Sequence, residues 1–392
     1  MKVAYISLSV FADCDIPLLN ALREKGIDVT YYLIMSDRNR QGTVIDIHSM
    51  KTEARVYPAS EYPELKAIER LTDLGRMRIV NMPVAHNYSW TSFVLAHRFR
   101  KELKADGFDI IHFTWPFDYC FFGLYGLDTP MLHTVHDPIP HSSDEKFIYN
   151  LQRRAAMRRA DYFMLLNNTQ KEQFKQRYSI ADDRIFSSRL SIYTHLADHK
   201  PGASLYDKPY ILFMGSINPH KGIRYLCEAM EEARKAHPDL QLVIAGKGAF
   251  DFNIEDYTSR GYVKLMNRFI EVGELVTLVH HSQFVCCPYI DATQSGVIMS
   301  AFALCKPVLA TRTGALHEMI EDGRHGMLVP PRDSHSLAEA IIRMNSSEVL
   351  EGMTGNIIQD YCHGDKSWGT LADKLIDCYQ LMIKEISRRS HI

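Results

Sequence analysis

Two turns in the second half of this 392-residue chain bring together residue types that bind phosphate. The first, Gly215-Ser216-Ile217-Asn218-Pro219-His220-Lys221-Gly222, follows the apolar run Tyr210–Met214. A strand ending in glycine, then Lys-Gly at a helix start, sets a cation beside free backbone N–H groups. Open α/β sheets bind ligands outside the carboxyl ends of their strands, where such turns lie. A contact from Lys221 to a diphosphate is worth about 1.5–3 kcal/mol. The second turn, Ala292 to Val297, lies between the apolar run Phe284–Pro288 and the helical segment Ile298–Leu304. Its Gln294, Ser295, Gly296 and Val297 amides open a helix, where the dipole favours an anion. Each turn has a plainer alternative: a solvated lysine beside a helix start, and the polar β-to-α loop of any doubly wound sheet. Occurring together, they favour phosphate.

Such turns need parallel strands to carry them. The chain opens with strand Val3–Leu8, loop Ser9–Asp15, helix Pro17–Lys25, Gly26 and strand Asp28–Ile34, a βαβ unit. Asp15 suits the helix cap, Pro17 its first turn and Gly26 its end. A second unit starts at Tyr210, with a helix over Ile223–Ala236 and a strand over Leu240–Ala245 closed by Gly246-Lys247-Gly248. Short apolar runs at Asp109–Phe113, Met131–Val135 and Tyr162–Leu166 read as buried parallel strands. Ala197–Lys208, with Pro201 and Gly202, reads as a linker. The expected division is residues 1–200, residues 205–365 and a C-terminal helical segment, 366–392, packing back across the domain junction.

Composition narrows the class. Hydrophobic residues at 46% and charged residues at 23% are ordinary for a globular protein, and a net charge of −2 gives no footing for nucleic acid. Eight cysteines without C-x-x-C spacing fit a reducing cytosol, with Cys286 and Cys287 as core residues rather than metal ligands. The first residues read as a strand rather than a signal peptide, and no run is apolar enough for a membrane span, so any membrane contact is expected to be peripheral.

The ordered set of motifs resembles the retaining glycosyltransferases of family 4. The matching pieces are Phe213-Met214-Gly215 with Lys221-Gly222, Val243 to Gly248, Pro288-Tyr289, Ala292 to Val297, Lys306 to Thr311, Gly314 with Glu318, Asp322-Gly323 with Gly326, and Val329-Pro330-Pro331. Ala-Thr-Gln-Ser-Gly-Val resembles a branch common among bacterial surface polysaccharide enzymes. The resemblance implies a GT-B fold: two doubly wound, Rossmann-like α/β domains facing a central cleft, acceptor on the first and nucleotide sugar on the second. It implies a donor diphosphate held by Gly215, Ser216, Lys221 and Gln294 to Val297. Donor sugar and ribose would lie near Asp291, Ser300 and Glu318, and the base near Phe269 and Ile270. No cofactor or metal is implied. The family's two glutamates bracketing the turn fall here on Ala292, beside Asp291, and on Ser300. The arginine that often follows the strand glycine is Ser216, and Arg224 is the nearby substitute in sequence.

In the first half, His133-Thr134-Val135-His136-Asp137 resembles the family's T-x-H-D element and nominates His136 as catalytic together with Lys221. Asp13, Asp15, His112 and His141 are candidates for the acceptor side. Asp13-Cys14-Asp15 mimics the metal-binding D-x-D of the other major glycosyltransferase fold, but its place after the first strand argues against that reading. Arg153, Arg154, Arg158 and Arg159, with the aromatic run Trp115–Tyr125, read either as a surface for anionic lipid or as a solvated helix face above a buried loop. The implied acceptor is a saccharide or a polyprenyl-diphosphate-linked molecule, met in the cytoplasm or at the inner membrane face. Two rivals share the fold: a nucleotide-sugar epimerase and a degenerate subunit that binds a partner transferase.

Overall fold

The computed structural model describes residues 1–83, 89–138 and 147–389. The chain divides into two compact units, Met1–Arg189 with Trp368–Ile392, and Leu190–Ser367. In the first, strands β1 (Lys2–Ser7), β2 (Asp28–Ser36), β3 (Arg55–Pro58), β4 (Met77–Met82), β5 (Ile110–Phe113), β6 (Met131–Val135), β7 (Tyr162–Leu165) and β8 (Ile185–Ser187) form one sheet. Their order is β3-β4-β2-β1-β5-β6-β7-β8. Strand β1 is buried along nearly its whole length, as a strand covered on both faces must be. Only β3 runs antiparallel, and its exposed Arg55 and Pro58 suit an edge that should not recruit another strand.

The helices of this unit are α1 (Ala12–Glu24), α2 (Trp90–Asp106), α3 (Phe147–Arg159) and α4 (Lys171–Tyr178). Helix α1 starts before Pro17, so Asp15 lies within its first turns and does not cap it. The Asp15 side chain turns inward, where the Tyr5 and Tyr31 hydroxyls each donate to it at 2.9 Å. In the aromatic run, Phe117, Phe121, Leu124 and Tyr125 are buried, which makes it interior packing rather than a lipid-facing loop.

The second unit carries β9 (Tyr210–Met214), β10 (Gln241–Gly246), β11 (Val263–Asn267), β12 (Val285–Cys287), β13 (Val308–Thr311) and β14 (Gly326–Val329). All are parallel, in the order β11-β10-β9-β12-β13-β14. Helices α5 (Ile223–Ala236), α6 (Glu255–Thr258), α7 (Val272–His281), α8 (Gly296–Ala303), α9 (Leu316–Met319), α10 (Ser334–Met344) and α11 (Ser347–Ile357) connect and cover them. In α5, Ile223, Leu226, Cys227, Met230 and Ala233 form one buried stripe at helical spacing. That stripe packs toward the sheet, beside α10. Burying a side chain such as Leu226 stabilises by about 1.5–3 kcal/mol. Cys286 and Cys287 are fully buried in this core.

The unit boundary precedes the stretch read as a linker. Ile192 and Leu196 join the core of the second unit, and Ser191 donates to the Lys366 carbonyl at 2.6 Å, so residues 190–200 belong there and not with the first domain. The terminal helix α12 (Trp368–Arg389) belongs to the first unit, where buried Tyr379 meets His112 Nδ1 at 2.6 Å. No helix among the described residues is long and apolar enough to cross a membrane.

Candidate active site

The two phosphate-type turns meet at the carboxyl end of the second sheet. Gly222 adopts φ +64°, and a Cβ there would lie 2.0 Å from the Pro288 carbonyl oxygen, so only glycine lets the turn after β9 press against the turn after β12. The Ile290 amide donates to the His220 carbonyl at 2.8 Å and secures the same contact. This clamp sets Lys221 Nζ 3.7 Å above the centre of the Tyr289 ring. Among the described residues Lys221 has no carboxylate partner, and burial lowers its pKa from the ordinary lysine value. The cation is half-buried, held over an aromatic face and uncompensated.

Tyr289 also links this lysine to the second turn, since the Ser295 hydroxyl lies 3.4 Å from the Tyr289 hydroxyl. Ser295 occupies the N-cap of α8, yet its side chain takes no amide of the first turn. The start of α8 therefore keeps its capacity for an anion. A Cβ at Gly296 would come 2.9 Å from the Tyr193 hydroxyl, which would have to shift to admit it. Gln294 Nε2 is buried and has no acceptor among the described residues. A buried unpaired donor costs about 1–3 kcal/mol, which an anionic ligand accepting from it would offset.

Beside these turns is a recess of about 330 Å³. Of the nominated residues, Gly215, Ser216, Phe269, Ile270, Val297 and Ser300 line it. Phe269 is 70% exposed at its mouth, as an aromatic platform would be. Ser300 donates to the Gly296 carbonyl at 2.9 Å, so its proton is committed within the helix and its oxygen remains an acceptor. Asp291 is exposed and Glu318 lies on α9, and neither lines the recess. Arg224 does not replace the missing arginine: it pairs with Glu228 at 3.0 Å on the outer face of α5. Two cations line the recess: Arg268, which is paired with Glu274 at 2.5 Å, and Lys247. The signal of Lys247 in the sequence is the Gly246-Lys247-Gly248 that closes β10.

In the first unit, His136 follows β6 and stacks on Phe11 with ring centres 4.0 Å apart. Its Nε2 has no partner among the described residues, and burial pulls its pKa down to about 4, so the ring is neutral at pH 7. His112 is an interior residue, with Nδ1 on the Tyr379 hydroxyl and Nε2 on the Thr134 hydroxyl, both at 2.6 Å. With both nitrogens occupied, it has none for an acceptor. Burial pushes Asp13 up to about 6 and Asp15 up to about 7. Asp15 is enclosed by its tyrosines; Asp13 is only half-buried. His141 lies outside the described residues. A smaller recess of about 90 Å³ at the ends of β1, β2 and β5 is lined by Ser7, Ser36, Asn39, Trp115 and Asp118 among others.

One group of metal-ligating side chains gathers among the described residues, Glu321, His325 and Asp360. Arg324 at 2.7 Å, His325 at 2.7 Å and Lys366 at 3.5 Å already engage the Asp360 carboxylate and hold its pKa well down, so this cluster reads as an ion-pair network.

Two doubly wound units, one with two glycine-bearing turns meeting at its strand ends, make up a glycosyltransferase of GT-B fold. The same fold is seen in Anabaena HepE, solved in complex with UDP, at a TM-score of 0.63 and 14% identity over 97% of this chain and 100% of that one. Residues 18–186 match the model for Glycosyltransferase Family 4, and residues 208–347 match that for Glycosyl transferases group 1. Together these two matches mark the chain as a glycosyltransferase. It is similar to the alpha-D-kanosaminyltransferase of Streptomyces kanamyceticus, 24% identical over 58% of this chain and 60% of that protein. It is also similar to an uncharacterized glycosyltransferase of Methanocaldococcus jannaschii, 22% identical over 89% of this chain and 93% of that one.

Proposed function

We propose that this protein transfers a glycosyl group from a nucleoside diphosphate sugar to a hydroxyl acceptor, with retention of anomeric configuration. The observation that carries the reading is Lys221, a half-buried cation without a carboxylate partner among the described residues, linked through Tyr289 to the uncapped start of α8. In this reading the diphosphate accepts from Lys221, the Gln294 side chain and the first amides of α8. The base rests by Phe269 and Ile270, and Lys247 adds charge in the recess. These groups stabilise the charge that develops on the leaving diphosphate, which is where electrostatic catalysis acts most strongly. The bond from the anomeric carbon to the phosphate oxygen breaks as the acceptor oxygen bonds on the same face. The acceptor's proton passes to the departing phosphate oxygen. His136, neutral at pH 7, is suited to hydrogen-bond the donor sugar rather than to carry charge. Lysine and helix amides do the neutralising that a divalent cation does elsewhere, so turnover should survive a chelator.

HepE holds UDP, which makes uridine the first base to test. Calorimetry against UDP, GDP and ADP should find one nucleotide that binds, and turnover of its sugar should give a product whose anomeric proton reports retention. Failure to bind all three would sink the proposal and favour a degenerate subunit. Release of free nucleotide without addition to any acceptor would favour an epimerase. The pathway proposed is polysaccharide or glycolipid assembly.

A further inference from the structure

The most exposed large apolar side chain among the described residues is Trp90, at 81%. It opens α2, whose Ser89 cap accepts from the Ser92 amide at 3.1 Å. Leu95, Phe99 and Leu103 bury the inner face of the helix. Helical periodicity places Trp90, Phe93, Val94, Arg98, Lys101 and Lys104 on the opposite face. Phe93 is 44% exposed, and Arg98, Lys101 and Lys104 are exposed. None of these cations forms an ion pair among the described residues, and no carboxylate interrupts the stripe: Glu102 lies half-buried on the flank and Asp106 at the helix end. Three further exposed cations, Arg154, Arg158 and Arg159, stand on α3, which packs with α2 against the Tyr119–Gly126 turn. A chain of net charge −2 has thus gathered aromatics and unpaired cations on one helix face.

We infer that α2 docks the first unit on an anionic lipid bilayer. Trp90 and Phe93 would enter the headgroup boundary, where amphipathic aromatic rings are favoured, and Arg98, Lys101 and Lys104 would lie along lipid phosphates. Lysine is depleted in the cores of protein interfaces, so this composition favours a bilayer over a folded partner. The surface differs from the aromatic run Trp115–Tyr125, whose large side chains are mostly interior. None of its residues lines either recess, and it does not depend on the reaction proposed above.

Co-sedimentation of the whole chain tests it, using vesicles of phosphatidylcholine alone and of equal parts phosphatidylcholine and phosphatidylglycerol. Wild type should sediment with the anionic vesicles only and be released by salt, and Trp90 emission should shift to the blue, a shift that W90F removes. Each cation near the surface is worth about fivefold in partition, so K101E with K104E should reduce binding by about 25-fold or more. W90A with F93A should reduce it by about tenfold or more. Circular dichroism and nucleotide affinity, both independent of this face, should be unchanged in these variants. Wild type left in the supernatant with anionic vesicles overturns the inference. So does either double variant that sediments like wild type, or a dimer abolished by W90A in a protein that ignores vesicles.

Discussion

Replacing Lys221 with alanine separates a cation held for a ligand from one held for the fold. In the first case the lost contact to the diphosphate is charge-assisted and worth about 1.5–3 kcal/mol. At 1.36 kcal/mol per decade, kcat/KM should fall by about tenfold to a hundredfold. Stability should behave differently. The half-buried ammonium bears a desolvation cost that the Tyr289 face, at 3.7 Å, offsets by about 0.5–2 kcal/mol, and alanine removes both terms together. The thermal midpoint should therefore move by no more than about 2 °C. Initial rates with the donor that calorimetry identifies, beside a thermal melt, measure both quantities. The Lys221 pKa lies below that of an ordinary lysine, so the alkaline limb of the wild-type kcat/KM profile should come earlier than a solvated lysine would place it. Unchanged kcat/KM in Lys221→Ala refutes the reasoning, and a large fall in the midpoint with intact activity would make the lysine structural.

Gly222→Ala should cost roughly 1–3 kcal/mol in urea unfolding and weaken nucleotide binding, because the added carbon sits at φ +64° against the Pro288 carbonyl and displaces the lysine turn. Lys247→Ala should weaken nucleotide binding by about threefold to tenfold in calorimetry at low salt, and Arg224→Ala should leave it unchanged, since Lys247 lines the recess and Arg224 does not. Below neutrality the interior of the first unit should make stability rise with pH. His112 and His133, buried neutral with pKa values pulled down to about 3, each take up a proton on unfolding below the ordinary histidine range, which favours the unfolded state as pH falls. Asp15, pushed up to about 7, has the opposite sign, because its proton is lost on unfolding anywhere between the ordinary carboxylate pKa and that value. The balance is one proton bound on unfolding between about pH 4 and 6, a slope near 1.4 kcal/mol per pH unit that urea midpoints across this window would detect. A flat or falling profile would contradict these burials.

Much of the second unit was legible because its signals are local. Gly215, Gly222 and Gly246 punctuate strands at the carboxyl end of a sheet, and the α5 stripe is a helical period read directly off the chain. Residues whose role depends on direction were harder. Asp15 has the composition of a cap, yet α1 begins earlier and turns the carboxyl toward two tyrosines distant in sequence. His112 resembles a strand-end site residue, yet Thr134 and Tyr379 occupy both its nitrogens. Arg224 is near the phosphate turn in sequence, but one helical turn carries it to the outer face and Glu228.

By itself the sequence determined the two βαβ systems, the order of motifs that resembles a glycosyltransferase, and the two glycine-bearing turns at strand ends. These follow from backbone rules and apolar periodicity, which act over a few residues. Only the tertiary structure decided what accompanies those turns: Tyr289 beneath Lys221, Lys247 in the recess in place of Arg224, Ile192 and Leu196 in the second core, and α12 with the first unit. Each of these depends on contacts between segments far apart in the chain. Side-chain direction and burial are set by packing there, which no local pattern encodes.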